Sequence, residues 1–137
     1  MNSKYRYCHN ILKFLYDDRR SNNQQERLVG SIRIAEDTNI PILKIHELQH
    51  ILVNNGDIVI LDNDGQSMMS IQQQGITSYV DRKYLKDGTR EFWDSIFVDG
   101  SSPNNFTPFS NELKKKTGLT STEFYLEAMK YYKEKFK

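Results

Sequence analysis

The chain has 137 residues, of which 27% are charged and 12% aromatic, and its formal net charge is +1. That is enough for one compact domain, or a small domain with an appendage, and it excludes a charge-dominated disordered tail. The single cysteine, Cys8, excludes an internal disulfide, the opening MNSKYRYCHN carries no secretory apolar region, and no apolar run reaches membrane-spanning length; a cytoplasmic protein without membrane contact is expected.

Taken in chain order, Tyr5, Cys8, Ile11, Leu12 and Leu15 recur at helical spacing and predict an amphipathic helix over residues 4 to 17, with Cys8 on its buried side. The run from Asp17 to Gln25 has no apolar residue and reads as an exposed connection. Ile34 and Ala35 belong to a second helix, with Ala35 where two helices cross closely. Asn39 tolerates a left-handed backbone, and Pro41 suits the first turn of a helix beginning near Ile42. Ile45, Leu48 and Leu52 form the inner stripe of that helix, which Gly56 ends. Asp57 to Leu61 reads as a strand, Asn63-Asp64-Gly65 as a hairpin turn, and Met68 to Ile71 as the returning strand. Ile76, Tyr79, Val80, Lys83 and Tyr84 predict one further helix from about Gln73, stopped by Asp87-Gly88.

Beyond it, Thr89 can cap a short helix in which Phe92 pairs with Ile96 and Trp93 with Phe97, although Asp94 to Val98 also reads as a strand. Gly100 to Pro108 is a loop by composition, and Asn111 to Thr117 a short helix broken by Gly118. Thr120 and Glu123 form a capping box for a final helix whose inner face is Phe124, Ala128, Tyr132 and Phe136, with Tyr125 and Met129 beside it.

The order of these elements resembles the winged helix-turn-helix superfamily over about residues 4 to 86. The resemblance rests on the small and apolar residues around Asn39 and Pro41, the hairpin at Asn63-Asp64-Gly65, and the run Ser70-Ile71-Gln72-Gln73-Gln74-Gly75-Ile76 that leads into the next helix. It implies an α+β fold: a winged helix-turn-helix domain with a two-stranded wing over residues 1–88, and a helical C-terminal extension over residues 89–137. It also implies a DNA-binding, transcription-regulator-like function on double-stranded DNA, as a homodimer paired through the terminal helices. Bases would be read by Lys44, His46, Gln49 and His50 from the outer side of the second helix of the pair, where Glu47 also stands. Phosphates would be held by Arg19, Arg20, Arg27 and the Lys114, Lys115, Lys116 run.

Charge opposes this. Between Ser31 and Gly75 the bases are Arg33 and Lys44, against the acids Glu36, Asp37, Glu47, Asp57, Asp62 and Asp64. DNA affinity comes largely from neutralising phosphates, which an acidic stretch does poorly. The alternative is a protein-interaction module on the same fold, with the acidic wing and the Ile42-Leu43 edge facing the partner.

A third reading lies on the same helix, because His46, Glu47 and His50 spell H-E-x-x-H, in which two histidines one turn apart bind zinc and the glutamate activates water. No histidine follows His50, and no spacing marks Asp57, Glu91 or His9 as a third ligand. A zinc metallopeptidase is therefore the minor alternative, and the expectation is no catalytic residue, no metal and no cofactor. Phosphate-binding and dinucleotide glycine motifs are absent from the sequence.

Overall fold

A computed structural model describes residues 3–23, 26–90 and 118–135. The first helix, α1 (Ser3–Ser21), buries Cys8, Ile11, Leu12 and Leu15 as the spacing predicts. It also runs a turn further than the apolar pattern, through residues expected in an exposed connection. Asp18 is the reason: its carboxylate turns inward, where Arg27 Nε donates to Oδ2 at 2.8 Å and Arg33 Nη2 lies 3.2 Å from Oδ1. A buried carboxylate survives only when paired in this way, and the pairing ties the end of α1 to the chain on either side of the first strand. Arg19 and Arg20 in the last turn suit the negative end of the helix dipole.

That strand, β1 (Val29–Gly30), leads directly into α2 (Ser31–Thr38), and α3 (Ile42–Asn54) follows after a short turn. The hairpin strands β2 (Ile58–Asn63) and β3 (Gln66–Ile71) pair antiparallel from Ile58 with Ile71 to Asn63 with Gln66. Asp64 and Gly65 carry φ of 51° and 79°, the two positive values that a tight hairpin turn of this hand requires. β1 joins the other edge of β3 through Val29 with Met69 and Gly30 with Met68, so the sheet has three strands in the order β1-β3-β2 instead of two. Two residues are too few to show a strand period. The fold is thus mixed α+β around an antiparallel sheet.

The helix expected from about Gln73 to a stop at Asp87-Gly88 is two helices, α4 (Gln73–Val80) and α5 (Lys83–Gly88). Between them Arg82 takes φ 57°, a left-handed conformation that ends α4. The break leaves Val80 exposed and buries Tyr84.

The chain divides into two compact units, Arg6–Tyr84 and a second made of Met1–Tyr5 with Leu85–Lys137. In the first, Ile34, Ile40, Ile45, Leu48 and Leu52 are all buried, with Ile58, Met69 and Ile71 from the sheet, while Ala35 is only half-buried. In the second, Thr89 closes α5 by donating from its hydroxyl to the Lys86 carbonyl at 2.7 Å. The final helix α6 (Ser121–Lys135) begins at the expected capping box: Glu123 N–H donates to Thr120 Oγ1 at 3.2 Å, and Thr120 N–H donates to Glu123 Oε1 at 3.1 Å. Its buried face is Phe124, Ala128 and Tyr131, and not Tyr132. At about 100° per residue Tyr131 lies about 20° from Phe124 around the helix, and Tyr132 about 80° away. Tyr125 and Met129 are exposed. The expected elements around Phe92, Trp93, Ile96 and Phe97, the Gly100 to Pro108 loop, the Asn111 to Thr117 helix with Lys114 to Lys116, and Phe136 lie outside the described residues. Among the described residues no helix is long and apolar enough to cross a membrane.

Candidate macromolecule-binding face

The turn between α2 and α3 is held by local chemistry. Thr38 Oγ1 donates to the Ile34 carbonyl at 2.6 Å, and Asn39 caps α2 with φ 58° and ψ 25°, the left-handed conformation expected of it. Pro41 stands one position earlier than its expected place in the first turn: it is the N-cap of α3, and its carbonyl accepts from Lys44 N at 2.9 Å and Ile45 N at 3.1 Å. With this start, Ile45, Leu48 and Leu52 face inward and α3 presents Leu43, Lys44, His46, Glu47, His50 and Val53 outward.

Gln49 corrects the expected reading face. It is only 7% exposed, and its Oε1 is buried with no hydrogen-bond partner, so the two-point bond to adenine expected of it cannot form in this arrangement. Position 49 lies four residues after Ile45 and three before Leu52, inside the wide apolar stripe of a packed helix, and that spacing was the signal that marked it as buried. Lys44 Nζ is 3.3 Å from Glu47 Oε2 across one exposed turn, so the single cation of the outer face is matched by a carboxylate. Leu43, at the leading end of α3, is 73% exposed.

The hairpin continues this character. Val59 and Leu61, two apart on β2 and hence on one face of the sheet, are 47% and 55% exposed, and Asp62 and Asp64 are exposed at its tip. The hairpin is aimed by a buried carboxylate. Asp57 is fully buried between α3 and β2; Ser78 Oγ donates to its Oδ1 at 2.7 Å, and the Tyr84 hydroxyl donates to its Oδ2. Asn55 Nδ2 donates to the Tyr84 oxygen at 2.9 Å. Burial pushes the Tyr84 phenol well above the usual tyrosine range; the Asn55 amide opposes this, and donation to the Asp57 carboxylate reinforces it. The backbone of Asp57 also bridges elements, donating to the Leu52 carbonyl and accepting from Gln72 N–H, both at 2.9 Å. Gly75, within α4, lies against that carbonyl.

Two of the described arginines expected on phosphates have partners within the protein. Arg27 is engaged with Asp18, and Arg19 Nη1 donates to the Ile71 carbonyl at 3.3 Å; Arg20 is exposed on α1. Lys114 to Lys116 lie outside the described residues. His46 and His50 share the exposed side of α3, and among the described residues no group of three or more His, Cys, Asp or Glu side chains is placed to hold a metal ion. No protein-family model matches this chain, and neither the curated proteins nor the solved structures contain a match to it.

Proposed function

We propose that residues 6–84 form a winged-helix module that docks a protein partner through the outer face of α3 and the β2–β3 hairpin. The observation that carries this reading is the chemistry of that face. Leu43, Val59 and Leu61 are exposed, the tip carries Asp62 and Asp64, Lys44 is matched by Glu47, and Gln49 is buried. A DNA reader needs unmatched cations for phosphates and polar groups for base edges, whereas a protein interface needs apolar anchors within a polar rim. The complementary partner offers an apolar pocket with basic residues around it. Co-purification tests the reading: Leu43→Asp and Leu61→Asp abolish partner recovery while leaving the thermal transition within error. Undiminished recovery with both variants overturns it.

Double-stranded DNA is the second reading, favoured by Lys44, His46 and His50 on the exposed side of α3. It predicts measurable binding to random duplex DNA at low salt, weakened by Lys44→Ala and by added salt. No binding under those conditions removes it. In either reading a homodimer through the terminal helices is supported by Tyr125, Leu126 and Met129, exposed along α6. Sedimentation tests this pairing, since Leu126→Glu shifts a dimer to monomer.

A further inference from the structure

Within the Arg6–Tyr84 unit, α1, α4 and the break after α4 border an open surface pocket of about 420 Å³ lined by His9, Lys13, Tyr79, Val80 and Arg82. Cavities near this size hold small molecules. Among the described residues that line it, two are cations and none is an acid. His9 and Lys13 lie one helical turn apart on α1, and the His9 ring rests against Tyr79 with centroids 5.2 Å apart and planes at 34°. The Nδ1 atom of His9 is buried without a hydrogen-bond partner, an arrangement that is unfavourable until some group supplies one. Arg82 is held at φ 57°, where an L residue is strained; such strain persists where surrounding structure enforces it and collects at ligand-holding positions. The Tyr79 ring also meets Tyr16 at 5.1 Å, and Tyr16 lines a separate pocket of about 230 Å³ with Arg19 and Arg20. Lys13 and Arg82 bring positive charge to the His9 pocket, which favours anions.

We propose that the His9 cavity binds a small phosphomonoester, its phosphate held by Lys13, Arg82 and His9 Nδ1 and its organic part against Tyr79 and Val80. A monocarboxylate has too few acceptor oxygens to engage two cations and an imidazole at once, whereas a phosphate offers three or four. The groups facing His9 are Lys13 on its own helix, Tyr79 on α4 and Arg82 at the break; Asp17 acts on the Tyr79 phenol. Burial, then Arg82, then Lys13 hold the His9 imidazole down at about 4, so the neutral ring is favoured near pH 7. A bound dianion offsets both cations and draws a proton onto His9.

Histidine NMR tests this directly, because the chain has three histidines and the other two, His46 and His50, stand exposed on α3 as internal controls. Inorganic phosphate and phenyl phosphate are titrated separately against sodium chloride of matched ionic strength. The expected result is a saturable shift of the His9 signals with His46 and His50 unmoved, and an upward displacement of the His9 titration. A response to phenyl phosphate alone assigns the site to esters and supports the proposal. Arg82→Gly suits the left-handed backbone and should weaken binding about ten-fold or more, as loss of a charge-assisted hydrogen bond does; Lys13→Gln, at an exposed helical position, should do the same. The proposal is overturned if His9 is unmoved by either probe into the millimolar range. It is equally overturned if all three histidines shift together, or if Arg82→Gly binds as tightly as the unchanged protein.

Discussion

Gly75→Ala sets helix propensity against packing. Gly75 lies in the first turn of α4, and in an open helix the exchange would stabilise the fold by about 1 kcal/mol, because alanine loses less backbone entropy on folding. Here an added Cβ would stand 2.2 Å from the Asp57 carbonyl oxygen, more than 1 Å short of the 3.4 Å at which ordinary contact begins, and 2.8 Å from Ile71 Cγ1. The nearest atom belongs to the backbone and cannot rotate away. It accepts from Gln72 N–H, while the side chain of the same residue is held by Ser78 and Tyr84. Relief therefore requires α4 to lift off the start of β2, loosening those bonds as it moves. Overpacking of this kind costs about 1–3 kcal/mol, and weakening hydrogen bonds to a buried carboxylate adds about 1–2 kcal/mol, so the expected net loss is about 2 kcal/mol or more. Urea denaturation followed by circular dichroism measures it, with Thr77→Ala, an exposed exchange in the same helix, as the control that should gain a few tenths. A Gly75→Ala protein as stable as the unchanged one would refute the close approach of α4 to Asp57.

Tyr84→Phe leaves Asp57 Oδ2 and Asn55 Nδ2 without their shared partner and should cost about 1–3 kcal/mol at neutral pH by the same assay. The raised pKa of Tyr84 means that the fold favours the neutral phenol, so this stabilisation is present below about pH 10 and is lost as pH rises further; Tyr84→Phe should flatten that alkaline decline. His9 works in the opposite direction. Its imidazole is held down at about 4 by burial, Arg82 and Lys13, so the fold favours the neutral ring, and stability present above about pH 6.5 falls as the pH drops toward 4. His9→Gln should reduce that acid-side slope in denaturant melts taken at successive pH values. Gln49→Leu removes a buried carbonyl without a partner and should leave stability unchanged or raise it by about 1 kcal/mol, whereas a loss above about 2 kcal/mol would indicate a partner for that amide.

The features legible in the sequence are those whose causes act within four residues along the chain. The inner stripe of α3, the left-handed Asn39, the Asn63-Asp64-Gly65 turn and the Thr120–Glu123 capping box each depend on backbone geometry and a near neighbour, and they stand where the letters put them. The failures share a different cause. β1 is two residues long and exists because β3 lies beside it. The extension of α1 through Asp18 depends on Arg27 and Arg33 arriving from beyond the helix. The break at Arg82 places the Tyr84 hydroxyl at Asp57, across twenty-seven residues of sequence.

Aspartates make the division clearest. Asp57, Asp62 and Asp64 are the same side chain within eight residues, yet Asp57 is fully buried on two hydroxyl donors while the other two stand in water at the hairpin tip. Composition could count all three in the acidic balance of this region, and that balance was readable from sequence alone. Which of them contributes to the charge of the exposed face was decided by the fold, because burying a carboxylate is favourable only where distant donors converge on it. The same holds for the candidate face: sequence placed Lys44, His46 and His50 on the outer side of α3, but the packing that draws Gln49 inward and leaves Leu43, Val59 and Leu61 in solvent belongs to the tertiary structure, since it depends on which surfaces the neighbouring helices and strands cover.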